Sequence, residues 1–124
     1  MIELIDDLPE PVVGFRAKGK VTGDDYEQVL MPRVDAALKA HDKVRLLYVL
    51  GDDFDGYSGG AMWDDAKLGM EHLRKWERIA VVTDVDWVEH AVKAFGWMIP
   101  GKVKRFDDDE LDDAREWITE GLSG

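Results

Sequence analysis

Two short stretches, Val44–Leu50 and Arg78–Thr83, are apolar at almost every position. A strand with one wet face alternates apolar and polar residues. A near-continuous apolar run of strand length belongs instead to a strand covered on both faces, the situation of a parallel sheet with helices packed on it. Between the two runs, Met62, Ala66, Gly69, Met70 and Leu73 recur at helical spacing. A strand, a helix and a second buried strand imply a right-handed crossover and a parallel pair.

The flanking segments extend this unit. Ile2–Ile5 reads as a short strand, and the two prolines of Asp6–Pro11 mark a turn. Val12–Lys20 places Val13, Phe15 and Ala17 on one face of a second strand, paired with the first as an antiparallel hairpin. Thr22 and Asp25 form a capping pair at a helix start. Tyr26, Val29, Leu30, Val34, Ala37 and Leu38 line one face of that helix, which ends near Ala40. Pro32 removes the donor that would reach the carbonyl of Gln28, so a kink or broken turn is expected there.

Gly51–Gly60 reads as a long loop. After Arg78–Thr83, Asp86 opens a third helix carrying Trp87, Val88, Ala91, Val92 and Phe95, closed by Gly96. Lys102–Phe106 is a last strand. Asp107–Glu110 begins a fourth helix, packed through Leu111, Ala114, Ile118 and Leu122. The expected class is α/β: a mixed, mostly parallel sheet of about five strands with about four helices, in the order β-β-α-β-α-β-α-β-α.

Length and composition agree. The 124 residues suit one domain over 1–124, with 45% hydrophobic residues and five Trp for a core. The 16 basic and 27 acidic residues give a net charge of −11, which argues against nucleic acid as a partner. The absence of Cys removes disulfides, thiolate metal sites and Cys nucleophiles. The first residues lack the pattern of a secretory signal, and no apolar run reaches membrane-spanning length. A cytoplasmic protein is expected, with room for peripheral membrane contact.

Ligands of open α/β sheets gather outside the carboxyl ends of the strands. That directs attention to Gly51–Gly60, Thr83–Asp86 and Gly96–Lys102. Ser58, before the second helix, is either a phosphoacceptor or a plain N-cap; helix-start serines are ordinarily caps. The glycines match neither a Walker loop nor a dinucleotide fingerprint. Asp52, Asp53, Asp55, Asp64 and Asp65 lack the EF-hand ladder and read as a solvated acidic region. His41, His72 and His90 fall on three different helices without zinc spacing. No G-x-S-x-G elbow surrounds Ser58. No catalytic residue, metal site or cofactor is therefore assigned.

One loop departs from the polar rule. Phe95-Gly96-Trp97-Met98-Ile99-Pro100-Gly101 is apolar, and Lys102, Lys104 and Arg105 follow at once. Such a wedge beside cations suits an interfacial anchor. It equally suits a lid over an apolar pocket facing Met62 and Trp63, a dimer contact or simple core packing.

Several strings add a resemblance: Phe54-Asp55-Gly56-Tyr57-Ser58, Gly60-Ala61-Met62-Trp63-Asp64-Asp65, Trp76 to Asp84, and Trp87. With the element order, they resemble the STAS domain, and within it the SpoIIAA-like branch of STAS/SEC14 type. The resemblance implies the same fold and no enzymatic activity. Members with a phosphoacceptor carry an Asp-Ser-Ser-Gly-like string; here Gly56-Tyr57-Ser58-Gly59 keeps the acceptor at Ser58 but has Tyr57 before it. The branch's likeness to lipid carriers implies a nonpolar ligand or a membrane surface. The expected function is thus a non-enzymatic module for a small apolar or lipid-like ligand, lined by Tyr57, Met62, Trp63, Phe95, Trp97, Met98 and Ile99. The alternative is a phosphorylation-regulated interaction switch at Ser58. A homodimer through the Trp97 loop would compete with membrane contact.

Overall fold

The computed structural model describes residues 1–5, 7–9, 11–57, 75–86, 90, 93 and 101–121, with only the backbone for Tyr26 and residues 52–57. Five strands form one sheet in chain order: β1 (Ile2–Ile5), β2 (Val12–Val21), β3 (Val44–Tyr57), β4 (Trp76–Thr83) and β5 (Lys102–Phe106). β1 pairs antiparallel with β2, while the β2–β3, β3–β4 and β4–β5 pairs are parallel. The mixed sheet expected from the opening hairpin and the two buried runs is thus present.

The alternation of side chains along the strands builds two cores. Val13, Phe15 and Ala17 of β2, Val44, Tyr48 and Leu50 of β3 and Trp76 of β4 pack on one face. The first helical region covers it, contributing Leu30, Val34 and Leu38. Val12, Leu47, Val49, Ala80, Val82 and Phe106 form the other face, closed by Ala114 and Ile118. Burying apolar residues from both faces of β3 and β4 removes them from water together, which explains why those runs could not alternate.

The first helical region has three parts: α1 (Gly23–Asp25), a π-turn (Tyr26–Leu30) and α2 (Met31–Ala40). The interruption anticipated at Pro32 takes this form. A wide turn immediately before the proline lets α2 begin afresh with the ring in its first turn, where no N–H is needed. The last helix, α3 (Leu111–Thr119), follows a 3₁₀ turn at Asp108–Glu110. These are the first and last of the four expected helices. The second and third fall outside the described residues, apart from Asp86, His90 and Lys93, which are helical. His41 is not on a helix but closes α2 as its C-cap.

Three boundaries differ from the sequence reading. β2 runs one residue further, to Val21. β4 begins at Trp76, because Trp76 already pairs with Val44. β3 continues to Tyr57, so most of the expected loop after Leu50 is strand. Gly19, Lys20 and Val21 pair there with Phe54, Gly56 and Tyr57 across register shifts. Gly19 has φ +56°, a conformation that glycine adopts without steric cost, and it sits where the register changes.

Candidate functional site

The carboxyl end of the sheet is stepped. β4 stops at Thr83, opposite Leu50, whereas β3 extends seven residues further beside β2. Thr83 is fully buried and its hydroxyl accepts the N–H of Val85 at 3.0 Å, fixing the turn after β4. Arg105 donates to the Thr83 carbonyl at 2.9 Å and pairs with Asp107 at 2.8 Å. Asp84 accepts the Asp108 N–H at 3.2 Å, tying the exits of β4 and β5 together. Asp107 and Glu110 close the start of the last helical region: the Asp107 N–H donates to the Glu110 carboxylate at 2.8 Å.

The carboxylates of Asp107, Asp109 and Glu110 lie within 4.8 Å of one another. Asp107 and Glu110 already serve the cap and the Arg105 pair. The acidic run therefore acts as a helix start, as its sequence suggested.

The amino end of the sheet is organised by cations. Arg45, only 7% exposed, donates to Glu77 at 2.6 Å and to the carbonyls of Ile118 and Glu120 at 3.0 and 2.7 Å. Arg78 donates to the Trp117 carbonyl at 2.7 Å and lies over its indole ring, 5.1 Å from the centroid. Lys75 donates to the Leu38 carbonyl at 2.7 Å. Three cations thus satisfy carbonyls at the carboxyl ends of α2 and α3, where the helix dipole favours positive charge. Sequence reading passed over Arg45; its signal was a lone arginine inside an apolar strand.

Gly101 also belongs to this end. A Cβ there would overlap the carbonyl oxygens of Trp76 and Glu77, so the chain enters β5 pressed against the start of β4. This corrects one expectation. Gly101 and Lys102, expected in a loop beside the strand exits, stand at the amino end of β5, while residues 96–100 of that expected loop lie outside the described residues.

The sequence-predicted site residues divide accordingly. Tyr57 is the last residue of β3 at the carboxyl end, described through its backbone. Ser58, Met62, Trp63, Phe95, Trp97, Met98 and Ile99 lie outside the described residues. Lys102 and Lys104, which follow the apolar stretch, are exposed on β5, the edge of the sheet.

The SpoIIAA-like family model matches residues 12–119. The chain belongs to the SpoIIAA-like family. A solved structure supports the same architecture: an uncharacterized protein from the DUF3478 family with a SpoIIAA-like fold, from Shewanella loihica PV-4. It is 30% identical, with 94% of this chain and 93% of that one covered and a TM-score of 0.76. No curated protein matches the chain. The SpoIIAA-like match begins at the first residue of β2 and ends at the last residue of α3, so it takes in both cores and both ends of the parallel sheet.

Proposed function

We propose that the chain is a non-enzymatic binding module for a small apolar or lipid-like ligand, making peripheral membrane contact through the apolar stretch that leads into β5. The observation that carries this reading is the juxtaposition at the amino end of β5. Trp97, Met98 and Ile99 precede Gly101 by two to four residues, and Lys102 and Lys104 stand exposed directly after it. Apolar residues that partition into the acyl boundary, next to cations that meet headgroups, are the chemistry of an interfacial anchor. The exposed lysines also discourage pairing at the sheet edge, a benefit independent of any membrane.

Among the described residues no helix is long and apolar enough to cross a membrane; the contact proposed is one of docking on the surface. With a net charge of −11, long-range electrostatics oppose an anionic bilayer. The apolar side chains must then supply most of the affinity.

Vesicle flotation tests this. Wild type is expected to float with phosphatidylcholine vesicles carrying a minor phosphatidylglycerol fraction, and Trp97→Ala with Met98→Ala is expected to stay at the bottom. Wild type that does not float, or a double variant that floats equally, removes the membrane part. Native mass spectrometry of the purified protein addresses the ligand part, which fails if no nonpolar molecule accompanies the chain.

A second reading rests on the sequence position of Ser58, one residue after Tyr57, the last residue of β3, since ligands of open α/β sheets gather beyond the carboxyl ends of strands. As a phosphorylation switch, it requires a partner whose affinity changes on Ser58→Asp. Unchanged affinity removes it.

A further inference from the structure

The sheet face that carries α3 is not uniformly apolar. Towards the amino end of β2, Leu8 fills the space over Gly14, and Val12 belongs to the core beneath. α3 itself packs mainly on β4 and β3. Two and four residues beyond Gly14, the same face of β2 bears Arg16 and Lys18. Their neighbours in register are Glu3 on β1, opposite Arg16, and Val49 on β3, also opposite Arg16.

Glu3 does not neutralise Arg16. Its carboxylate is taken by Lys18, at 3.2 Å. Arg16 is half-buried, yet among the described residues it makes no hydrogen bond or ion pair. This is unusual in a chain with 27 acidic side chains. Among the described residues, the other partly or fully buried arginines, Arg45, Arg78, Arg105 and Arg115, each hold a carboxylate or a carbonyl. None of the Arg16 nitrogens is among the buried unpartnered atoms, so the stem is covered while the guanidinium is reached by solvent; its five donors in a planar, weakly hydrated fork are open to an incoming oxyanion.

We infer that Arg16, assisted by Lys18, is a recognition point for an oxyanion carried by a small molecule, a phosphate or a carboxylate group. The net charge of the chain selects the size of the ligand. A polyanionic surface would be repelled over its whole extent, whereas a single anionic group meets mainly the local field of Arg16, the charge of Lys18 being largely offset by Glu3. The planar fork fits either anion in a bidentate manner.

The test is a titration of the full chain followed through the Arg16 Nε–H resonance and the backbone amides of β1 and β2. Inorganic phosphate is one arm, succinate the other, and sodium chloride at matched ionic strength the reference. A saturable shift with at least one anion, beyond the chloride reference, is expected, and the arm that saturates identifies the anion class. Shifts that stay linear in both arms, or that chloride reproduces, overturn the inference as an adventitious ion only. Arg16→Gln keeps an uncharged polar side chain on β2 and is expected to weaken binding at least tenfold. Lys18→Gln is expected to weaken it less. A saturating response that persists unchanged in Arg16→Gln, with the remaining spectrum intact, overturns the assignment to Arg16.

Discussion

The helix termini at the two ends of the parallel sheet are fastened by opposite charges. At the amino end, Lys75, Arg45 and Arg78 donate to the last carbonyls of α2 and α3. At the carboxyl end, Thr22 with Asp25, and Asp107 with Glu110, satisfy the first N–H groups of helical segments. Parallel strands require helices to run back against them, so the carboxyl ends of α2 and α3 come to the starts of strands. The dipole then asks for cations there and acids at the opposite end. The difference explains the net charge in part: many acids are exposed helix-start groups, while several of the fewer cations are half-buried and committed. It also shows why Arg16, a half-buried cation on the middle of a strand, stands apart.

The strongest way to break this comparison is to remove the amino-end clamp. Arg45→Met leaves two carbonyls of the α3 terminus and Glu77 without their donor. The expected loss is ~2–4 kcal/mol, because two carbonyls lose a charged donor at ~1–3 kcal/mol each while Glu77, 41% exposed, regains water. Urea denaturation should show it as a lowered midpoint at nearly constant slope. A change within error of zero would mean that solvent replaces the clamp and that the amino end is not held by charge.

The next effect separates steric from electrostatic fastening at the same end. Gly101→Ala puts a methyl group against the backbone of Trp76 and Glu77, which cannot move aside as a side chain would. Overpacking of this kind costs ~1–3 kcal/mol. Amide exchange should accelerate most in β5 and at the start of β4. Uniform acceleration throughout the sheet would show that β5 does not separate locally.

The smallest effect belongs to the carboxyl end. The backbone N–H of Thr22 holds the Asp25 carboxyl below the usual carboxylate range. Asp25→Ala is expected to cost ~1 kcal/mol at neutral pH, typical of a lost cap. A depressed folded pKa contributes stability above the unfolded pKa and loses it as pH falls through the folded value. The difference between wild type and Asp25→Ala should therefore shrink on acidification below about pH 4, where the unfolded carboxyl begins to protonate. Thermal melts at neutral and acid pH measure it. A pH-independent difference would show that charge is not involved.

Much of this is legible in the amino-acid sequence. The apolar run Val44–Leu50 announced a strand buried on both faces, and both faces do carry core residues. Pro32 announced an interruption, and a π-turn precedes it. The extension of β3 was not legible. Gly51-Asp52-Asp53 has the composition of a loop, and only pairing with Gly19–Val21 makes the segment a strand. The candidate apolar stretch at Trp97, Met98 and Ile99 lies outside the described residues. Gly101 and Lys102, read as part of a loop at the strand exits, stand instead at the amino end of β5, because a residue that opens a parallel strand joins that end whatever its composition.

The sequence by itself determined the periodicity of each segment, the acids that cap helices and the apolar content that forces two covered faces. These are local properties, set by side-chain spacing along one stretch of chain. Only the tertiary structure decided which carbonyls Arg45 and Arg78 would meet, that Lys18 rather than Arg16 would take Glu3, and that Gly101 would press against Trp76. Each of these joins residues distant in sequence. Their partners are selected by strand register and by which helix lies over which strand, and a single stretch of chain encodes neither.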